Sequence, residues 1–328
     1  MLWILFFLLT AIIFFSGKNL VRYGDILAEK LNIGRTVIGV VFVASITSLP
    51  ELITGISSVT FADSPDIATG NIFGSCMFNL LILAILDGFY RDTPITAKVH
   101  HGLTLSSSFG IILIAVSSTA ILLKNKIPVI GWISFASLLI ILIYLLAVKV
   151  ITDYEKRIIS RSIHKTVEMY RHISLKEASV KYLLNATVII IASVFLPKVA
   201  KDLAHSYGMT ETFFGTFFVA FATSFPEIAV SIVAAKMNMV TISVANLLGS
   251  NIFNIFVLAI NDLFYTKGSL FNNIDISNNI SAAIAILMSS IVIIGLVYRA
   301  EKKKLRLAYE SIALIIVYIT GVAIIYSI

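Results

Sequence analysis

The chain has 328 residues, of which 58% are hydrophobic and only 13% charged, and its mean hydropathy is +0.97. Soluble domains carry roughly 25% charged residues, so a water-soluble globular protein is excluded and an integral membrane protein is indicated. The net charge of +7 reads as a topology signal with some attraction to anionic lipid, not as a nucleic-acid footprint, and the single cysteine, Cys76, excludes a disulfide framework and any multi-cysteine metal site.

Apolar runs of about 20 residues predict spanning helices. Ten are found, at 1–16, 35–60, 66–88, 101–123, 127–149, 179–199, 212–236, 240–265, 277–297 and 306–327, giving an all-α fold. The opening MLWILFFLLTAIIFF has no basic residue before its apolar stretch and no small-residue cleavage site, so it is read as the first span and not as a signal peptide. Basic residues in alternate loops set the orientation. Twenty of the 25 fall on one side, concentrated at 149–181 and 299–306, which predicts both termini outside the cell membrane.

The sequence repeats itself. TVIGVVFVASITSLPELITG from Thr36 returns as TFFGTFFVAFATSFPEIAVS from Thr212, and GNIFGSCMFNLLILAILDGFY from Gly70 returns as ANLLGSNIFNIFVLAINDLFY from Ala245. Five spans per copy force the second copy into the membrane from the opposite face, so the expected architecture is two inverted five-helix repeats. Residues 1–150 form the first, with its duplicated motif at 36–90, and 179–328 the second, with its motif at 212–265. The basic stretch 151–178 is the expected cytoplasmic linker, with scattered Ile, Val and Met that suit a surface-lying helix.

Each copy places a glutamate, Glu51 or Glu227, inside an apolar run, where an ionisable group is costly and marks a substrate pathway by default. Thr47 and Ser48 share the face of Glu51, as Thr223 and Ser224 share that of Glu227. Pro50 and Pro226 break the hydrogen bonds to the carbonyls of Ile46 and Ala222, which predicts a kink beside each acid. Freed carbonyls at membrane depth are tolerated where they line a cavity or meet a ligand. Asn71, Ser75 and Asn79 form a polar stripe on the third span, and Asn246, Ser250 and Asn254 one on the eighth. The duplicated set holds no histidine or usable thiolate, and all-oxygen sites suit calcium, sodium, magnesium or manganese. Two carboxylates neutralise one divalent ion, or hold several sodium ions, or accept protons.

TSLPE and TSFPE, followed by GSCMFN and GSNIFN, resemble the two alpha-repeats of the calcium/cation antiporter superfamily, most closely its sodium/calcium exchanger branch. The resemblance covers nearly the whole chain. It implies ten helices and a midplane cation site at Glu51 and Glu227, with coordination by Thr47, Ser48, Ser75, Asn79, Thr223, Ser224, Ser250 and Asn254 and by the backbone oxygens of Ala44 and Ala220. It also implies sliding of the first and sixth spans, no enzyme activity, and no cofactor beyond the transported ions Ca2+ and Na+, or H+ in a proton-coupled variant. The GNxxE pattern of proton-coupled members is absent. Ile46 and Ala222 stand where the family often has glycine, Asn254 where some relatives have aspartate, and the animal members' long regulatory insertion is missing.

The expected partners are inorganic cations and the bilayer, with no nucleic acid and no obligatory protein. Proton/calcium or other divalent-cation exchange through the same glutamates is the alternative function. An intramembrane hydrolase using two acids fits poorly with carboxylates surrounded by Ser, Thr and Asn. Asp63 and Asp66 are expected to be solvated in an outer loop, Asp87 and Asp262 to mark span boundaries, Cys76 to pack, and His100 with His101 to hold no metal.

Overall fold

The structure is a computed structural model that describes residues 1–30, 45–159 and 173–328. Its long helices are α1 (Leu2–Lys30), α2 (Leu49–Thr60), α3 (Pro65–Asp87), α4 (Leu103–Leu123), α5 (Phe135–Ile159) and α6 (Leu175–Ser206). The chain continues through a short α7 (Glu211–Phe214), a π-helical turn at Gly215–Val219, a short α8 (Ala220–Thr223) and α9 (Phe225–Lys236). Then follow α10 (Val240–Phe264), a short α11 (Leu270–Asn273), α12 (Asn278–Tyr298) and α13 (Tyr309–Tyr326). Among the described residues, eight helices are long and apolar enough to cross a membrane, or nine if the bent pair Glu211–Thr223 and Phe225–Lys236 is one span. The expected span at 35–60 lies partly outside the described residues.

Local sequence explains the helix starts. Ser64 precedes Pro65 and accepts a hydrogen bond from the amide of Ile67, opening α3. Ser174 accepts from the amide of Glu177 at the head of α6, and Thr210 from that of Phe213 at the head of α7.

Three spans differ from expectation in their limits. Helix α1 does not stop near residue 16 but continues to Lys30, carrying Lys18 and Arg22 on a helix instead of in a loop; no proline or glycine turn interrupts it. Likewise α6 extends beyond 179–199 at both ends. The fifth span begins at Phe135, not at 127, because Val129–Ile130 and Ile133–Ser134 pair as a small hairpin. Its tip, Gly131, has φ +67°, a conformation glycine adopts without strain.

Burial ranks the helices. In α3 and α10, 89% and 78% of the most apolar window is buried inside the protein, whereas the figure is 22% for α5 and for α13. The first two therefore form the centre, and the last two present Leu138, Leu142, Leu145, Ile316 and Ile319 outward. With no hydrophobic drive between helices in lipid, close backbone approach supplies the packing. Gly70 and Gly74 of α3 provide it: a Cβ at Gly74 would lie 2.1 Å from the carbonyl oxygen of Thr216, and one at Gly70 would lie 2.9 Å from that of Thr212. Helix α1 packs along α6, and its Trp3 and Phe6 meet Phe214 and Phe218 of the π-turn region, mostly edge to face.

Asp87 and Asp262 stand at the ends of α3 and α10, as expected, but they do more than mark boundaries. Both are fully buried. Asp87 accepts from the amides of Ile95 and Ala308 and pairs with Lys303 at 2.7 Å. Asp262 accepts from the amides of Leu270 and Ser134 and from the Ser137 hydroxyl. Each aspartate thereby ties its own helix to the start of a helix in the other half of the chain.

Candidate cation site

The kinks fall where the prolines predict. Residues 45–47 are helical, Ser48 departs to φ −87°, ψ 16°, and α2 restarts at Leu49 with Pro50 in its first turn. In the second copy Ser224 has φ −80°, ψ 7°, and the helix bends there by 47° before Pro226. Proline tolerates a helix start, where its missing N–H has no partner to lose. Each break therefore places a serine at the restart and a glutamate one turn into the new helix, on the side facing the other copy.

Glu51 and Glu227 are both fully buried and lie within electrostatic reach of each other. Their contacts cross between copies. The Ser48 hydroxyl donates to Glu227 Oε1 at 2.9 Å, and the Ser250 hydroxyl reaches the same oxygen at 3.3 Å. Reciprocally, the Ser224 hydroxyl lies 3.2 Å from Glu51 Oε1 and 3.0 Å from the Ser75 hydroxyl. Thr47 and Ser250 meet at 3.3 Å, and Thr223 donates to Asn71 Oδ1 at 3.0 Å.

The remaining oxygens are the informative ones. Glu51 Oε2, Glu227 Oε2, Asn79 Oδ1 and both amide atoms of Asn254 are buried without a hydrogen-bond partner among the described residues. A buried polar atom left so costs about 1–3 kcal/mol, and a carboxylate oxygen more. The oxygens among these atoms are of the kind a hard cation takes, and the set contains no imidazole or thiolate that would favour a softer metal.

Of the twelve residues singled out in the sequence, eleven lie among the described ones, and Ala44 does not. The ten polar ones are all fully buried. The Ala220 carbonyl accepts from the amide of Ser224 at 3.0 Å and the hydroxyl of Thr223 at 3.3 Å, so it belongs to the last turn before the bend.

One neighbour escaped the sequence reading. Asn251 accepts from Asn79 Nδ2 at 2.9 Å through its Oδ1 and donates to the Cys76 carbonyl at 3.2 Å. It fixes the Asn79 amide with the carbonyl oxygen turned away from Asn251. Its aligned position in the first copy is Cys76, so a search for identical repeats passes over it. Because a thiol is a weak partner, Cys76 holds Asn254 less firmly than Asn251 holds Asn79.

One peripheral expectation changes. Asp63 is exposed and pairs with Lys267 at 2.7 Å, but Asp66 is half-buried in the first turn of α3 and accepts from the amide of Asp275 and from Asn278. Helix start and the loop 274–277 converge there, which takes it partly out of solvent. His100 pairs with Glu155 at 3.0 Å, and no cluster of three or more His, Cys, Asp or Glu able to hold a metal occurs among the described residues.

Known proteins resemble this chain along its length. An uncharacterised membrane protein of Methanocaldococcus jannaschii, MJ0091, is 26% identical over 320 residues, covering 97% of this chain and 96% of that one. The inner membrane protein YrbG of Escherichia coli is 27% identical over 248 residues, covering 75% and 74%. Among solved structures, the sodium-calcium exchanger NCX_Mj soaked with Na+ and Sr2+ superposes with a TM-score of 0.63 at 22% identity, covering 98% of both chains. The H+/Ca2+ exchanger CAX superposes with a TM-score of 0.75 at 14% identity, covering 99% of this chain and 85% of that one. These likenesses establish a shared fold. The sodium/calcium exchanger protein family profile matches residues 1–151 and 180–327, and with the multi-pass helical architecture and the buried, duplicated acid site in view, the chain belongs to that family of membrane cation exchangers.

Proposed function

We propose that this protein is a secondary antiporter that exchanges calcium for sodium by alternating access. One observation carries the reading: two fully buried glutamates, each held by serines from the other copy, keep a second oxygen free of any partner among the described residues. A divalent ion such as calcium neutralises both acids at once. Sodium ions arriving down their gradient compete for the same oxygens. The empty site, with two uncompensated acids, crosses hydrocarbon poorly, and this couples the two fluxes.

In this reading Glu51 and Glu227 are the charged ligands. Thr47, Ser48, Ser75, Asn79, Thr223, Ser224, Ser250 and Asn254 supply neutral oxygens, and Ala44 and Ala220 supply carbonyls. The frame is ten spans in two inverted repeats, 1–150 and 179–328, joined by a cytoplasmic linker at 151–178, with both termini outside the cell membrane.

Proton/calcium exchange is the second reading, since two buried carboxylates, each with an oxygen left without a partner among the described residues, can take protons in place of sodium. The two separate in proteoliposomes loaded to give either a sodium gradient or a pH gradient alone. Calcium uptake driven by sodium supports the first reading, and uptake driven only by pH supports the second. Glu51→Gln or Glu227→Gln should lower uptake about 100-fold or more, since an unpaired buried charge is left behind. Wild-type rates in either variant would overturn the glutamate mechanism.

A further inference from the structure

The two copies match through the glutamates and then diverge on one side. On α2, Glu51, Thr54 and Ser58 share one helix face; the aligned residues of the second copy are Glu227, Val230 and Ala234. On α10, Asn246, Ser250, Asn254 and Asn261 share a face; the aligned residues on α3 are Asn71, Ser75, Asn79 and Leu86. Thr54 and Asn261 are thus polar where the other copy is apolar.

Both extra groups lie toward the same end of the molecule. Helix α2 ends at Thr60 and α10 at Phe264, and the loops that follow are joined by the Asp63–Lys267 pair. Thr54 and Asn261 are fully buried, and Thr54 Oγ1, Asn261 Oδ1 and Asn261 Nδ2 have no hydrogen-bond partner among the described residues. Ser58 is different, because its hydroxyl is spent on the Thr54 carbonyl at 2.7 Å. Gly55 brings α2 against the amide: a Cβ there would lie 2.5 Å from Asn261 Nδ2 and 2.6 Å from Oδ1. Packing alone does not require these side chains, since Val230 and Leu86 fill the aligned positions of the other copy.

We propose that Thr54 and Asn261 form a staging station for the transported cation, between the glutamate pair and the face that carries Asp63 and Lys267. Two neutral groups do not compensate a bare hard cation, so the ion is held there through its hydration water. An amide that can both donate and accept is suited to bind that water, and a hydroxyl adds a third site. The aligned apolar pair leaves the opposite approach without such a station, so the two faces load the site unequally.

This inference rests on the transport reading, and the test separates the two. Thr54→Val and Asn261→Leu import the residues of the other copy, and Asn261→Ser keeps a hydroxyl if the leucine variant fails to fold. Initial calcium uptake is measured in membrane vesicles of both orientations, with equilibrium binding of radioactive calcium to the purified protein alongside. The double variant should raise KM about five- to tenfold from the Asp63 face. KM from the opposite face and equilibrium affinity should stay within about twofold of wild type. An equal change at both faces, or none at either, would overturn the station and leave exchange intact. Absence of calcium flux in the unaltered chain under any gradient would overturn the transport reading itself.

Discussion

Ser48 in the first copy donates to Glu227 in the second at 2.9 Å, and Ser224 returns the contact to Glu51 at 3.2 Å. Each acid is therefore held from the opposite half, and Glu227 has in addition Ser250 of its own half at 3.3 Å. A hydrogen bond to a charged group contributes about 1.5–3 kcal/mol, so Ser48→Ala and Ser224→Ala should each weaken calcium uptake about tenfold or more. Reciprocity makes a sharper forecast: the two variants should resemble each other in KM. An effect confined to one of them would show that the copies do not share the site evenly.

Asn251 holds Asn79 by its amide. Asn251→Leu removes that support and strands buried polar atoms, at a cost of about 1–3 kcal/mol. Thermal unfolding in detergent should register the loss, and calcium affinity should fall with it. Cys76→Ala deletes a weak thiol contact to the Asn251 carbonyl at 3.7 Å and should leave both close to wild type.

Gly74 allows α3 to touch the backbone of the π-turn, where a Cβ would stand 2.1 Å from Thr216 O. Gly74→Ala should destabilise by about 1–3 kcal/mol, as overpacking does, and reduce the folded yield. Gly110 offers a control on α4, since nothing lies within 4 Å of a Cβ there. Gly110→Ala should be neutral or slightly stabilising through lost chain entropy in the unfolded state. Comparable losses in both variants would contradict the packing argument.

Asp87 and Lys303 form a fully buried ion pair. Lys303→Met leaves Asp87 uncompensated and should cost about 3–5 kcal/mol, whereas Asp87→Asn combined with Lys303→Met should recover much of that loss. A double-mutant cycle on thermal stability checks this. Purely additive effects would mean that the pair contributes nothing as a pair.

Much of this architecture is legible in the residues. Apolar runs and scarce charge declare a membrane protein, and alignment of the chain with itself isolates Glu51, Glu227 and the stripes beside them. Proline chemistry locates both breaks to within two residues, at Ser48 and Ser224. Where hydropathy alone set the limits it was less exact: α1 runs on through Lys18 and Arg22 because a helix end depends on caps and turns, not on the end of the apolar stretch.

Other features depend on which surfaces meet. Repeat matching rewards identity, so it could not single out Asn251, Thr54 or Asn261, whose aligned partners are Cys76, Val230 and Leu86. Nothing in one dimension states that Ser48 turns toward Glu227 and not toward its own neighbour Glu51, or that Asp66 is drawn out of solvent by Asp275 and Asn278. The chain itself determined the solvent it lives in, the helices and the doubled acid, because these follow from transfer energies and backbone chemistry that each segment carries alone. Tertiary structure decided which hydroxyl serves which carboxylate and which buried oxygens stay unpaired, because hydrogen bonds are directional and their geometry exists only once the two halves have packed together.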